Sequence, residues 1–201
     1  MCPTKPRHRI SRKKSRSKLP LAIGALIIIA VVVAAAFYVF AMNNSEPTGG
    51  KVLLKTSVGN ITIQLRDDRP ITTENFKNLV KQGIYDGTIF HRVSPGFVIQ
   101  GGDPTGTGYG DPSIPTIPDE IDDNNHNNRG TVAMANTGSP NTGSSQFFIN
   151  LKDNNDLDTK HTVFGTVISG MNVVDEIASV PVDANERPFT DVTLIDAEII
   201  S

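Results

Sequence analysis

The sequence holds no tryptophan and one cysteine, Cys2, among its 201 residues. A single thiol beside the amino terminus excludes an intramolecular disulfide and leaves the body of the chain without a cysteine for nucleophilic or metal chemistry. Histidine is also sparse: besides His8 near the amino terminus, His91, His126 and His161, well apart from one another, show no compact metal-ligand spacing. No Gly-x-Ser-x-Gly occurs, which removes support for a hydrolase of that type. Gly106-Thr107-Gly108-Tyr109-Gly110 lacks the Lys-Ser/Thr of a phosphate loop, and Pro112, Pro115 and Pro118 forbid the helix whose N-terminus would hold the phosphate. Asp119, Glu120, Asp122 and Asp123 lack the ligand spacing and central glycine of a calcium loop, and read as a solvated acidic segment.

Charge is segregated along the chain. Lys5, Arg7, Arg9, Arg12, Lys13, Lys14, Arg16 and Lys18 crowd the first eighteen residues without an acid, a one-signed block that cannot pack into a core. The remainder holds eleven basic and twenty-one acidic side chains, a formal charge of −10. Between the two parts, Leu19 to Met42 carries no charge. At about 1.5 Å per residue, a helix of that length crosses the roughly 30 Å hydrocarbon layer. The run exceeds the roughly 7–15 residues of a signal-peptide core, and Tyr38-Val39-Phe40-Ala41 supplies no good cleavage site. The expectation is one transmembrane helix over 19–42 in the cell membrane, with a cytoplasmic basic tail and an extracytoplasmic domain. Such a tail meets anionic lipid rather than nucleic acid. Residues 43–50 read as a flexible linker, and 51–201 as a single domain expected to be a monomer.

Within that domain, Val52–Thr56 and Asn60–Leu65 alternate around Ser57-Val58-Gly59 as a hairpin. Thr72 is placed to cap a helix with Ile71 and Phe76 as its staple and Gly83 at its end. Thr131–Ala135, Gln146–Asn150 and Thr162–Val167 read as strands, Met171–Val180 as a second helix, and Asp191–Ile200 as a closing strand. Many short strands with only two helices predict a mainly β fold, a closed antiparallel barrel with helices covering its ends.

One stretch concentrates chemistry. Phe90-His91-Arg92-Val93 and Val98-Ile99-Gln100-Gly101 flank a Ser94-Pro95-Gly96 turn. If the two runs pair, residues of like parity share a face, so Arg92 stands beside Gln100 with Phe97 at the edge. A guanidinium, an amide and a ring on one surface suit a backbone carbonyl and a small apolar ring.

These residues, followed by Met134-Ala135-Asn136, Gly143-Ser144-Ser145-Gln146-Phe147-Phe148-Ile149, Leu157-Asp158 and Lys160-His161-Thr162-Val163-Phe164-Gly165, resemble the cyclophilin family of peptidyl-prolyl isomerases in order across Lys51–Ser201. The resemblance implies an eight-stranded antiparallel barrel capped by two helices. It implies catalytic roles for Arg92, Phe97, Gln100 and Asn136, and a substrate groove bordered by His91, Val98, Ala135, Gln146, Phe148, Leu157 and His161. Its partners would be proline-containing polypeptides, and folding of extracytoplasmic proteins its task; no metal or cofactor is implied. An alternative is a proline-peptide-binding folding helper with little turnover. From composition alone, Phe97, Phe148 and Leu157 are more simply read as barrel core. Asp156 stands where many eukaryotic members have Trp, which removes a cyclosporin contact; Val98 replaces a common Met and Thr159 a common Gly.

Overall fold

Burial alternates along the first strand: Val52, Leu54 and Thr56 point inward while Lys51, Leu53 and Lys55 lie at the surface. That period of two is what an apolar/polar strand with one buried face produces. The computed structural model describes residues 49–200. These form β1 (Lys51–Thr56), β2 (Gly59–Leu65), α1 (Pro70–Lys81), β3 (Thr88–Ile89), β4 (Arg92–Ser94), β5 (Val98–Gly101), β6 (Thr131–Met134), β7 (Phe147–Asn150), β8 (Val163–Ser169), α2 (Met171–Ala178) and β9 (Thr193–Ile200), with a 3₁₀ turn at Asn155–Leu157.

The strands make one curled sheet in the order β3-β9-β1-β2-β8-β6-β7-β5-β4, every pairing antiparallel. This corrects the expected closed eight-stranded barrel. Phe90–Val93, read as one run, is divided: the Phe90 amide donates to Val192 O and the Val93 amide to Glu186 O, so the chain changes partners between β3 and β4. The resulting end strands have two and three residues and do not pair with each other. A single bridge, Ile89 to Asp103, links β3 to the segment just after β5.

Helix α1 begins two residues before the expected cap. Pro70 occupies its first turn, where the missing N–H costs nothing. The next amides, of Ile71 and Thr72, donate to the Glu120 carboxylate at 3.1 and 2.8 Å, and the Thr72 hydroxyl donates to it as well. A carboxylate at a helix N-terminus satisfies free N–H groups and complements the helix dipole. Thr72 is thus inside the helix, and Ile71, 45% exposed, makes no staple. The acidic segment expected to be merely solvated instead braces the fold: beside Glu120, Asp122 takes both terminal nitrogens of the buried Arg69. The predicted stop is observed. Gly83, at φ +69°, donates to Val80 O while Ile84 donates to Leu79 O, a Schellman closure that needs a left-handed residue.

The main core is built around Phe76, Tyr85, Phe90, Phe147 and Phe164, packed edge-on or tilted with centroids 4.9–6.4 Å apart. A second, smaller apolar cluster joins Val98, Ala133, Ala135, Phe148 and Val163, with Phe97 and Leu157 against it. Adjacent residues on one strand feed the two clusters: Phe147 and Phe148, Ile99 and Val98, Phe164 and Val163. Alternation across a sheet buried on both faces accounts for the division.

Among the described residues no helix is long and apolar enough to cross a membrane. The expected span 19–42, with the basic tail, lies outside the described residues.

Candidate active site

The second cluster floors a concavity, and strand register explains why. Pro95 and Gly96 occupy the middle of the β4–β5 turn, with Gly96 at φ +72° and the Phe97 amide donating to Ser94 O at 3.0 Å. Proline followed by a positive-φ glycine is the signature of a type II turn. The turn sets Arg92 directly opposite Gln100. Gln100 in turn faces Phe148 on β7, Phe148 faces Ala133 on β6, and Ala133 faces Val163 on β8. Directly paired residues share a face. One row across five strands therefore grades from cation through amide to aromatic ring and small aliphatic groups.

Above that row lies a pocket of about 230 Å³. Phe97, Val98, Phe148, Ala135 and Leu157 give it an apolar side; Arg92, Gln100, Asn136 and His161, with Gly138, complete the lining. Phe148 is buried in the second core cluster with Phe97 and Leu157 packed against it, and all three also line the pocket, apart from the main core.

Arg92 is held on three sides. Its Nε donates to Glu186 Oε2 at 2.7 Å, Nη1 lies 3.5 Å from Gln100 Oε1, and the guanidinium carbon sits 5.8 Å from the centre of the Phe97 ring. The Gln100 amide donates to Gln146 Oε1 at 2.9 Å, and Gln146 donates to Gly108 O at 3.1 Å. An amide chain thus runs from the guanidinium to the 104–110 loop. That loop is wound around Asp103, whose carboxylate accepts from the amides of Thr105, Gly108 and Gly110. Burial would raise this carboxyl, but the converging N–H groups hold it below its ordinary value.

Also in the pocket lining, His161 meets Phe148 edge-on at 5.2 Å. Its Nδ1 lies 3.1 Å from Met134 O, a pure acceptor, so that nitrogen carries a hydrogen. Burial lowers the His161 pKa, which keeps the ring neutral at neutral pH. The Asn136 side chain is engaged at both ends, donating to Lys160 O at 2.8 Å and accepting from Gly138 N at 3.0 Å.

Two residues of the predicted set stand apart from this pocket. Gln146 borders a neighbouring concavity of about 310 Å³, shared with Gln100, Ala135 and Asn136. His91 is buried beneath the loop, with Gly108 beside its ring and no hydrogen bond of ordinary geometry at either nitrogen. Conversely, Glu186, which no sequence pattern marked, touches the guanidinium. Its loop has no periodicity, and the one local oddity, a positive φ, is visible only in the structure.

The description cyclophilin type peptidyl-prolyl cis-trans isomerase/CLD fits residues 51–199. The chain belongs to the cyclophilin family. It is 50% identical over 150 residues to the peptidyl-prolyl cis-trans isomerase ppi1 of Schizosaccharomyces pombe, covering 73% of this chain and 96% of that one. It is 47% identical over 160 residues to the spliceosome-associated protein CWC27 homolog of Danio rerio, covering 77% of this chain and 34% of that one. A crystal structure of a Cryptosporidium parvum cyclophilin type peptidyl-prolyl cis-trans isomerase, in the presence of the dipeptide Ala-Pro, matches with a TM-score of 0.72 at 34% identity, covering 75% of this chain and 99% of that one. As a cyclophilin, the protein is a peptidyl-prolyl cis-trans isomerase.

The relatives also correct the expected location. Placement in the cell membrane with an outward-facing domain finds no support among the relatives, one of which is named a spliceosome-associated protein.

Proposed function

We propose that this cyclophilin accelerates rotation about Xaa-Pro bonds in polypeptide clients during folding, with Arg92 as the catalytic residue. The observation that carries the reading is the graded row under the pocket, which sets a guanidinium beside an apolar seat of proline size. An Xaa-Pro bond turns slowly because conjugation across C–N must be broken, a barrier of about 20 kcal/mol. In the twisted state the proline nitrogen is pyramidal and carries a localised lone pair. A guanidinium N–H donated there stabilises the twisted form more than either planar isomer, which is the condition for catalysis.

Phe97, Val98, Phe148 and Leu157 grip the pyrrolidine ring, while the residue before proline is left free to swing. Gln100 and Gln146 steady the guanidinium, and Ala135, Asn136 and His161 border the peptide. His91 supports the loop from beneath. No proton is transferred in this scheme. The test is exchange NMR on a short Xaa-Pro peptide with the full chain and its Arg92→Ala variant. Loss of acceleration with retained peptide binding is expected. Equal acceleration by both proteins overturns the role of Arg92, and binding without acceleration by the wild type makes the protein a peptide holder.

A further inference from the structure

Glu186 and Asn141 are the non-glycine residues held at positive φ among the described residues, Glu186 at 64°. That region is crowded for a residue with Cβ and is ordinarily left to glycine. The surrounding turn enforces it: the Glu186 amide donates to Asp183 O at 3.0 Å, its carbonyl accepts from Val93 N at 2.7 Å, and Asp183 Oδ1 gathers the amides of Asn185 and Arg187. Arg187 ties the same turn to Gly106 O at 2.8 Å. A strained residue kept in place by its surroundings points to a use for its side chain.

Both oxygens of that side chain are spent on β4. Oε1 accepts from the Ser94 hydroxyl and Oε2 from Arg92 Nε at 2.7 Å. Arg92 and Ser94 are two apart on one strand and so face the same way. The Ser94 hydroxyl and the Arg92 guanidinium hold the Glu186 carboxyl below its ordinary pKa, so it is ionised at neutral pH.

We propose that Glu186 is the positioning residue of Arg92, fixing the rotation of the guanidinium through Nε and leaving its terminal nitrogens for the substrate. The inference rests on the role given to Arg92 above. A long side chain, 38% exposed, otherwise samples many rotamers, and holding a reacting group in one orientation acts on the chemical step. Gln100 alone does not supply this, since its contact to Nη1 is at the outer limit of a hydrogen bond.

The test compares wild type, Arg92→Ala, Glu186→Gly and Glu186→Gln by exchange kinetics and by the ¹⁵Nε–¹H resonance of Arg92. Glycine suits the positive φ but removes the carboxylate; glutamine keeps an oxygen for Nε. Expected for Glu186→Gly are a kcat lowered about 10- to 100-fold, the scale on which misorientation of a reacting group is felt, a KM within about twofold, and loss of the protected Nε–H signal. Glu186→Gln is expected to restore both. If Glu186→Gly keeps its kcat while Arg92→Ala loses it, the positioning role is overturned and the reading of Arg92 survives. If Arg92→Ala keeps its kcat, both fall. Should Glu186→Gly fail to fold, Glu186→Asn, shorter by one methylene and tolerant of this backbone region, answers by the same two readouts; an unchanged kcat there overturns the proposal.

Discussion

Gln100 lies directly across the β4–β5 ladder from Arg92 and donates a hydrogen bond from its side-chain amide to Gln146 Oε1. It is the only side chain of the row that touches both the cation and the amide chain leading to the loop. Gln100→Leu keeps the volume and removes both contacts. Because hydrogen bonds to a charged group are worth about 1.5–3 kcal/mol and this one is long, the expected loss in kcat is about tenfold. Exchange NMR measures it, and an unchanged rate would show that Gln100 merely fills space.

The pocket and the fold draw on the same apolar cluster to different degrees, which allows binding and stability to be separated. Leu157 sits on the 3₁₀ turn at the pocket's edge, partly exposed, whereas Phe148 is 4% exposed and packed between strands. Leu157→Ala is expected to raise KM several-fold with kcat nearly unchanged, the pattern of lost ground-state contact, at about 1 kcal/mol of stability. Phe148→Ala is expected to cost about 3–5 kcal/mol, the range for an aromatic cavity. Urea titration beside the kinetics distinguishes the two.

Gly102 joins β5 to the Asp103 loop at φ +79°, and a Cβ there would fall 2.8 Å from Phe147 Cδ1 and 2.9 Å from Ser145 O. The ring belongs to the main core and the oxygen to the backbone, so neither can give way freely. Gly102→Ala combines left-handed strain with overpacking, for an expected loss of about 3 kcal/mol. A shift in urea midpoint of less than about 0.5 kcal/mol equivalent would mean that the loop relaxes around the methyl group.

The hairpin that carries Arg92 was legible in the sequence because proline and glycine in the turn leave one register, and a register fixes which side chains share a face. The start of α1 was not, since its cap comes from Glu120, 48 residues along the chain. Phe147 and Phe148 read alike as letters; only the sheet, buried on both faces, sends one to the core and the other to the pocket. Glu186 was illegible for a different reason: it reaches Arg92 across 94 residues from a loop that obeys no period. Barrel closure failed as an expectation because strand counting cannot see a run that exchanges partners midway, as Phe90–Val93 does.

One buried and one half-buried histidine make stability depend on pH above the carboxylate range. His91 is 7% exposed and lacks a hydrogen-bond partner of ordinary geometry at either ring nitrogen. Burial lowers its pKa from the usual 6.5, with nearby Asp103 and a weak contact to the Gln146 side chain opposing and Arg187 and Arg92 reinforcing the shift; burial lowers that of His161 also. Well above 6.5, near pH 8, both states bind almost no proton at these rings. As pH falls below 6.5 the unfolded chain takes up protons that the folded chain refuses, so stability declines toward the folded-state values, by at most about 1.4 kcal/mol per pH unit for each ring. Urea midpoints at pH 8, 6.5 and 5 are expected to fall slightly over the first step, since half of the unfolded rings are protonated at 6.5, and to drop more steeply over the second. In His91→Gln the drop should shrink by its share. A midpoint that stays flat to pH 5 would show that His91 and His161 protonate in the folded protein as readily as in the unfolded chain. Below about pH 4.5 Asp103 and Glu186, whose folded pKa values are lowered, add a loss of the same sign, so the histidine step must be read above that range.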